Sequence, residues 1–126
     1  MLRSVLAFAA AFLLALPATA QVQRNFPQTA LRGAIVFGTA PEIAVNGQFA
    51  RLAPAARIRD GNNMVVVPSA LYGGKFLVHY TVDTSGLVKD VWILTPEEAA
   101  RRPWPTTTAE AHAWIFDWQT QTWTKP

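Results

Sequence analysis

Residues 42–51, reading EIAVNGQFAR, constrain the fold more than any other stretch of this 126-residue chain. Asn-Gly between two alternating runs is a strong hairpin signal, because a type I′ turn needs positive φ at both central residues. With Asn46 and Gly47 as the loop, Val45 faces Gln48, Ala44 faces Phe49, Ile43 faces Ala50 and Glu42 faces Arg51. Opposite charges then meet on one face. Ile43, Val45, Ala50 and Leu52 gather on the other, as a half-buried antiparallel ribbon requires.

The flanking segments follow the same grammar. LRGAIVF, from Leu31 to Phe37, is a β-branched run closed by Gly38 to Pro41. Asp60 to Asn63 reads as a loop, Met64 to Val67 as a short apolar strand, and Pro68 as its stop. KFLVHYTV and LVKDVWIL then flank Asp83-Thr84-Ser85-Gly86. A four-residue loop there puts Phe76, Val78, Tyr80, Val82, Leu87, Val91 and Ile93 on one face, the expected core. Leu77, His79, Thr81, Val88, Asp90 and Trp92 fall on the other, a mixed surface, and a bulged three-residue loop shifts one strand against this register.

Further on, Thr95 as N-cap, Pro96 at the first helical position and Glu98 to close a capping box predict a short helix, ended by Pro103. Thr107-Thr108-Ala109-Glu110 predicts a second, through about Ala113, and WIFDWQTQTWT alternates like a final hairpin turning near Asp117 to Thr120. Five or six short strands with two helical turns predict a mostly β fold. The expected form is a small antiparallel barrel of the OB or SH3-like kind. The alternative is a sheet covered on one face by the C-terminal helix.

The N-terminus reads as an address. Arg3, the apolar run from Val5 to Leu16, Pro17 and Ala18-Thr19-Ala20 form a cleavable signal peptide over residues 1–20. Residues 21–30, polar and without period, read as a flexible leader, which leaves 31–126 as one β-rich domain. No later run reaches the roughly 18 apolar residues of a membrane span, so no stable membrane insertion is expected after cleavage. The chain has no cysteine, hence neither disulfide nor lipid-anchored N-terminal cysteine, and a periplasmic location fits this best. Without Arg3 the formal charge of +3 falls to +2, too mild to argue for nucleic acid.

Catalytic material is sparse. Only Ser69 and Ser85 follow the signal, and neither sits in a Gly-x-Ser-x-Gly elbow. The four-residue loop places His79 directly across from Asp90, a pairing that in a hydrolase prepares a general base and on an ordinary sheet is a polar cross-strand contact. His79 and His112 are the only histidines, with no ligand spacing around them, and neither a Walker loop nor a dinucleotide fingerprint occurs; no metal or cofactor is expected. Trp104, Trp114, Trp118 and Trp123 crowd the last quarter and are the candidate binding residues, either as a surface that stacks on glycan rings or as a plug for the barrel.

NGQFARLAP, RIRDGNN and VWILTP, spread over most of residues 31–99, resemble a family of short exported proteins of proteobacteria. That resemblance implies an exported address and carries no site residues. VHYTVDTSGLVKDVWIL is also similar to the strand-turn-strand of TonB-type C-terminal domains, without their long following helix, and FDWQTQTW is similar to a single kelch strand turn. The expected function is a non-enzymatic module binding an envelope protein through a strand edge or the Trp-rich end. A glycan or peptidoglycan binder built on the tryptophans, and a small hydrolase built on His79 and Asp90, are the alternatives.

Overall fold

Five strands close on themselves in the computed structural model, which describes residues 23–126; the expected signal peptide lies outside the described residues. The strands are β1 (Leu31–Phe37), β2 (Glu42–Val45), β3 (Gln48–Arg59), β4 (Lys75–Val82) and β5 (Val88–Ile93). Their order around the barrel is β1-β2-β3-β5-β4. Every pairing is antiparallel except β3 with β5. This is the strand order of an OB barrel, so the expected small β-barrel stands. Two short helices, α1 (Pro96–Ala99) and α2 (Thr108–Ala113), and a hairpin of β6 (Ile115–Asp117) and β7 (Thr122–Thr124) complete the chain.

The 42–51 ribbon has the expected register in all four pairs, with Asn46 at φ 52 and Gly47 at φ 81. Its turn does more than reverse the chain. Asn46 Oδ1 accepts a hydrogen bond from the Ala34 amide at 2.9 Å, and the Asn46 amide donates to the Ala34 carbonyl at 2.8 Å. The turn therefore pins β1 where its pairing with β2 stops. β3 runs on to Arg59 through Pro54, which lies in the irregular stretch between Leu52 and Arg57 where a ladder amide is not required.

β4 and β5 meet in a different register from the four-residue reading. The Asp83 amide donates to the Leu87 carbonyl at 2.8 Å, with Gly86 at φ 83, so the loop has three residues. Asp83 Oδ1 holds it together by accepting from the Ser85 and Leu87 amides. A bulge at Lys89 then adds a second one-residue shift, and His79 stands opposite Trp92 while Asp90 stands opposite Thr81. Because two single shifts restore the parity of a period-two pattern, Val78, Tyr80 and Val91 still point inward. At the loop end the reading fails: Val88 is buried by the bulge and Val82 is 45% exposed.

At His79 and Thr81 the opposite face of β4 is also buried, which a half-solvated sheet does not require. His79 and Thr81 are 1% and 5% exposed. Their cover begins with residues 23–30, which are no loose leader: Arg24, Phe26 and Ala30 are all buried. The Phe26 amide donates to Gln121 Oε1 at 2.8 Å, and Trp104 Nε1 donates to the Ala30 carbonyl at 2.9 Å. The molecule thus has two apolar layers, one inside the barrel and an aromatic one outside β1, β4 and β5.

The helix starts follow their caps. Thr95 and Glu98 form the reciprocal box that opens α1. At α2, Thr107 Oγ1 accepts from the Glu110 amide, while the Glu110 carboxylate reaches one residue further back, to the Thr106 amide and hydroxyl. In the last hairpin Phe116 pairs with Trp123, and the turn lies one residue later than expected.

Candidate functional site

Among the candidate residues, His79 is placed first by β4, whose alternation turns it away from the barrel and into the aromatic layer. Phe26 meets its ring edge-on at 4.4 Å and Trp104 stacks on it at 4.0 Å. Nε2 accepts a hydrogen bond from Arg32 Nε at 3.2 Å, so Nδ1 carries the hydrogen, and that atom is buried without a partner among the described residues. Burial, and after it the charges of Arg32, Arg24 and Arg101, push the imidazole pKa down to about 2. Such a ring does not take up a proton at neutral pH. Asp90 instead accepts from the Thr81 hydroxyl at 2.9 Å, so the two members of the expected catalytic pair are separate.

Around His79 lies a polar core of long-range contacts. Arg24 makes a buried, bidentate pair with the Glu98 carboxylate and also donates to the carbonyls of Asp60 and Ile93. Arg32 donates to the carbonyls of Glu98 and Ala99, closing the open C-terminal end of α1. Each guanidinium is turned toward backbone, the His79 ring or a committed carboxylate. The arrangement fastens α1 and the N-terminal segment to the barrel, and it exposes no reacting group.

The tryptophans divide. Trp104 and Trp123 are 5% and 4% exposed, members of the layer that Phe26 and Phe116 complete, and they offer no ring face to water. They cover the outside of the barrel wall rather than plugging its end. Trp114 is half-buried with the Lys125 ammonium over its ring, and Trp118 alone is exposed, 53%, at the β6–β7 turn. A four-tryptophan stacking surface is therefore not assembled, because hairpin alternation sends Trp123 inward as it sends Thr122 and Thr124 outward.

Residues 64–67, expected as an apolar strand, make a single bridge, Val65 opposite Arg59. The Met64 carbonyl accepts from the Asp60 amide and the Val66 amide donates to the Ile58 carbonyl, so the Val65 amide and carbonyl point away from β3. Neither bonds to any described residue. Met64, Val65 and Val67 are 64%, 69% and 62% exposed, with Tyr72 beside them in sequence at 68%. The signal for this edge was present in the sequence as an uncharged run with no period-two alternation, which a strand having one solvated face would show. Exposure of the run was not legible, since a fully buried strand reads identically.

Among the described residues no cluster of three His, Asp or Glu side chains is placed to hold a metal ion. No family model, curated protein or solved structure matches this chain.

Proposed function

We propose that this protein is a non-enzymatic, periplasmic binding module that captures an extended segment of an envelope protein by strand addition along Met64–Val67. The observation that carries this reading is the outward, unbonded amide and carbonyl of Val65 between exposed apolar side chains. Folded proteins blunt such edges with charges, bulges or covers, and residues 61–74 contain no charged side chain. An added strand satisfies the backbone groups and covers Val65 and Val67 together, since they share one side. The alternative of a His79–Asp90 hydrolase loses its geometric support with the separation of the pair.

The test is capture from a cell-envelope extract by the wild-type protein and by Val65→Pro, followed by amide hydrogen exchange on the complex. Proline at 65 removes only an outward donor and leaves both inward bonds of the Arg59–Val65 bridge. The expected result is one partner captured by wild type, lost with Val65→Pro at an unchanged thermal midpoint, and protection of the Val65 and Val67 amides in the complex. Capture undiminished by the proline, or protection confined to other elements, overturns the reading.

A further inference from the structure

The Met64–Val67 edge has a defined beginning and end. Asn63, at φ 63, turns the chain onto it and commits its amide to the Asp60 carbonyl. Pro68 closes it, and the Val67 carbonyl accepts from the Ala70 amide. Between these ends Val65 faces Arg59 as a non-hydrogen-bonded pair, because the bonds on either side of it run from Asp60 to Met64 and from Val66 to Ile58. Val65 is thus the residue whose donor and acceptor both remain free on the outer side.

A residue of that kind is its own complement. In an antiparallel ladder the pairs alternate between those that exchange no backbone bond and those that exchange both. Val65, in a pair of the first kind toward the barrel, enters a pair of the second kind on its free side, where Val65 of another copy, related by a two-fold axis, satisfies its amide and carbonyl together. Each of β1–β5 has a neighbour on both sides, so the barrel itself offers a second copy no other free strand, and pairing like with like is the closed arrangement.

Charge permits the contact. Residues 61–74 carry no charged side chain, and the Arg59 residues of two copies would stand three strand spacings apart, about 14 Å, beyond the ~10 Å over which exposed charges act at 0.1 M salt. The two Val65 side chains, each 69% exposed, would lie against one another.

We propose that a second copy of this chain covers the Met64–Val67 edge in the free protein, by an antiparallel two-fold pairing centred on Val65. The pairing rests on the strand-addition reading of this edge and gives it a resting state, in which an incoming strand must displace the second copy. A contact of four residues buries far less than the roughly 800 Å² per partner of a stable complex, so the pair forms at high concentration and opens on dilution.

The chain has no cysteine, so a single introduced thiol reports the register without interference. In the proposed pair the two Cα atoms at position 65 stand about 5.5 Å apart, within disulfide range, whereas those at position 67 are offset by four residues, about 14 Å, and outside it. Mild oxidation at millimolar protein should therefore give roughly tenfold more linked dimer from Val65→Cys than from Val67→Cys. Sedimentation of the wild type over the same range should show a dimer that Val65→Pro does not form. Equal linking of the two cysteine variants, or a wild-type monomer throughout, overturns the pairing, and strand capture survives that failure if Val65→Pro still abolishes it. A dimer of the expected register beside capture undiminished by the proline overturns strand capture and leaves the pairing standing.

Discussion

Arg32 and His79 stand directly opposite each other on β1 and β4, and the guanidinium Nε donates to the imidazole Nε2 at 3.2 Å. A cation thus lies against a ring that must stay neutral. Protonating His79 would remove its acceptor and place two positive groups in one buried site, with Arg24 and Arg101 adding to the repulsion.

Stability should therefore depend on pH in a definite direction. Above the ordinary histidine value of 6.5 neither the folded nor the unfolded chain protonates this residue. Below it the unfolded chain binds a proton that the folded state refuses until about pH 2, so stability falls as pH falls, by about 1.4 kcal/mol per unit from this residue. Urea midpoints between pH 7 and pH 5 should fall for wild type and stay flatter for His79→Gln. Equal slopes in the two proteins would remove the assignment.

Arg24→Met should destabilise the protein by about 3–5 kcal/mol, because it leaves the Glu98 carboxylate buried without its counter-charge. Adding Glu98→Gln should recover part of that loss. Phe26→Ala should cost a similar amount, about 3–5 kcal/mol, through the cavity left against His79, Trp92 and Trp104. Denaturant unfolding of the three variants checks this, and losses near zero would mean that residues 23–30 do not dock.

Trp104→Ala should cost about 3–5 kcal/mol and Trp118→Ala less than about 1 kcal/mol, because the first is in the aromatic layer and the second at an exposed turn. Acrylamide quenching should fall appreciably only in the Trp118 variant.

Asn46 combines a left-handed backbone with a side-chain acceptor, and two substitutions separate them. Asn46→Gly keeps the φ of 52 accessible and loses only the bond from the Ala34 amide, about 1 kcal/mol; Asn46→Ala adds the left-handed penalty, about 1 kcal/mol more. Thermal midpoints in the order wild type, glycine, alanine are expected.

The parts of this fold that were legible in the sequence are those decided within a few residues. The 46–47 turn, the Thr95–Glu98 box and the final hairpin each rest on local chemistry. The β4–β5 pairing was only half legible: its inward set survived, but the His79–Asp90 pair did not, because a three-residue loop and a bulge at Lys89 leave no mark on a period-two pattern. Residues 23–30 were illegible for another reason. Arg24 reads as a solvated cation until Glu98, 74 positions away, is brought beside it.

The bond between the Phe26 amide and Gln121 joins positions 95 apart, almost the full described length. Synthesis delivers the N-terminal end first, so Arg24 waits for Glu98, and the Phe26 amide waits until the last hairpin has emerged. The strand pairing of the barrel uses nothing beyond β5, so contact range predicts that the barrel closes before the aromatic layer. Completion is thereby built into burial: the greasy outer wall of β4 at His79 is covered only when residues 23–30 and the segment from Trp104 to the last hairpin are both in place.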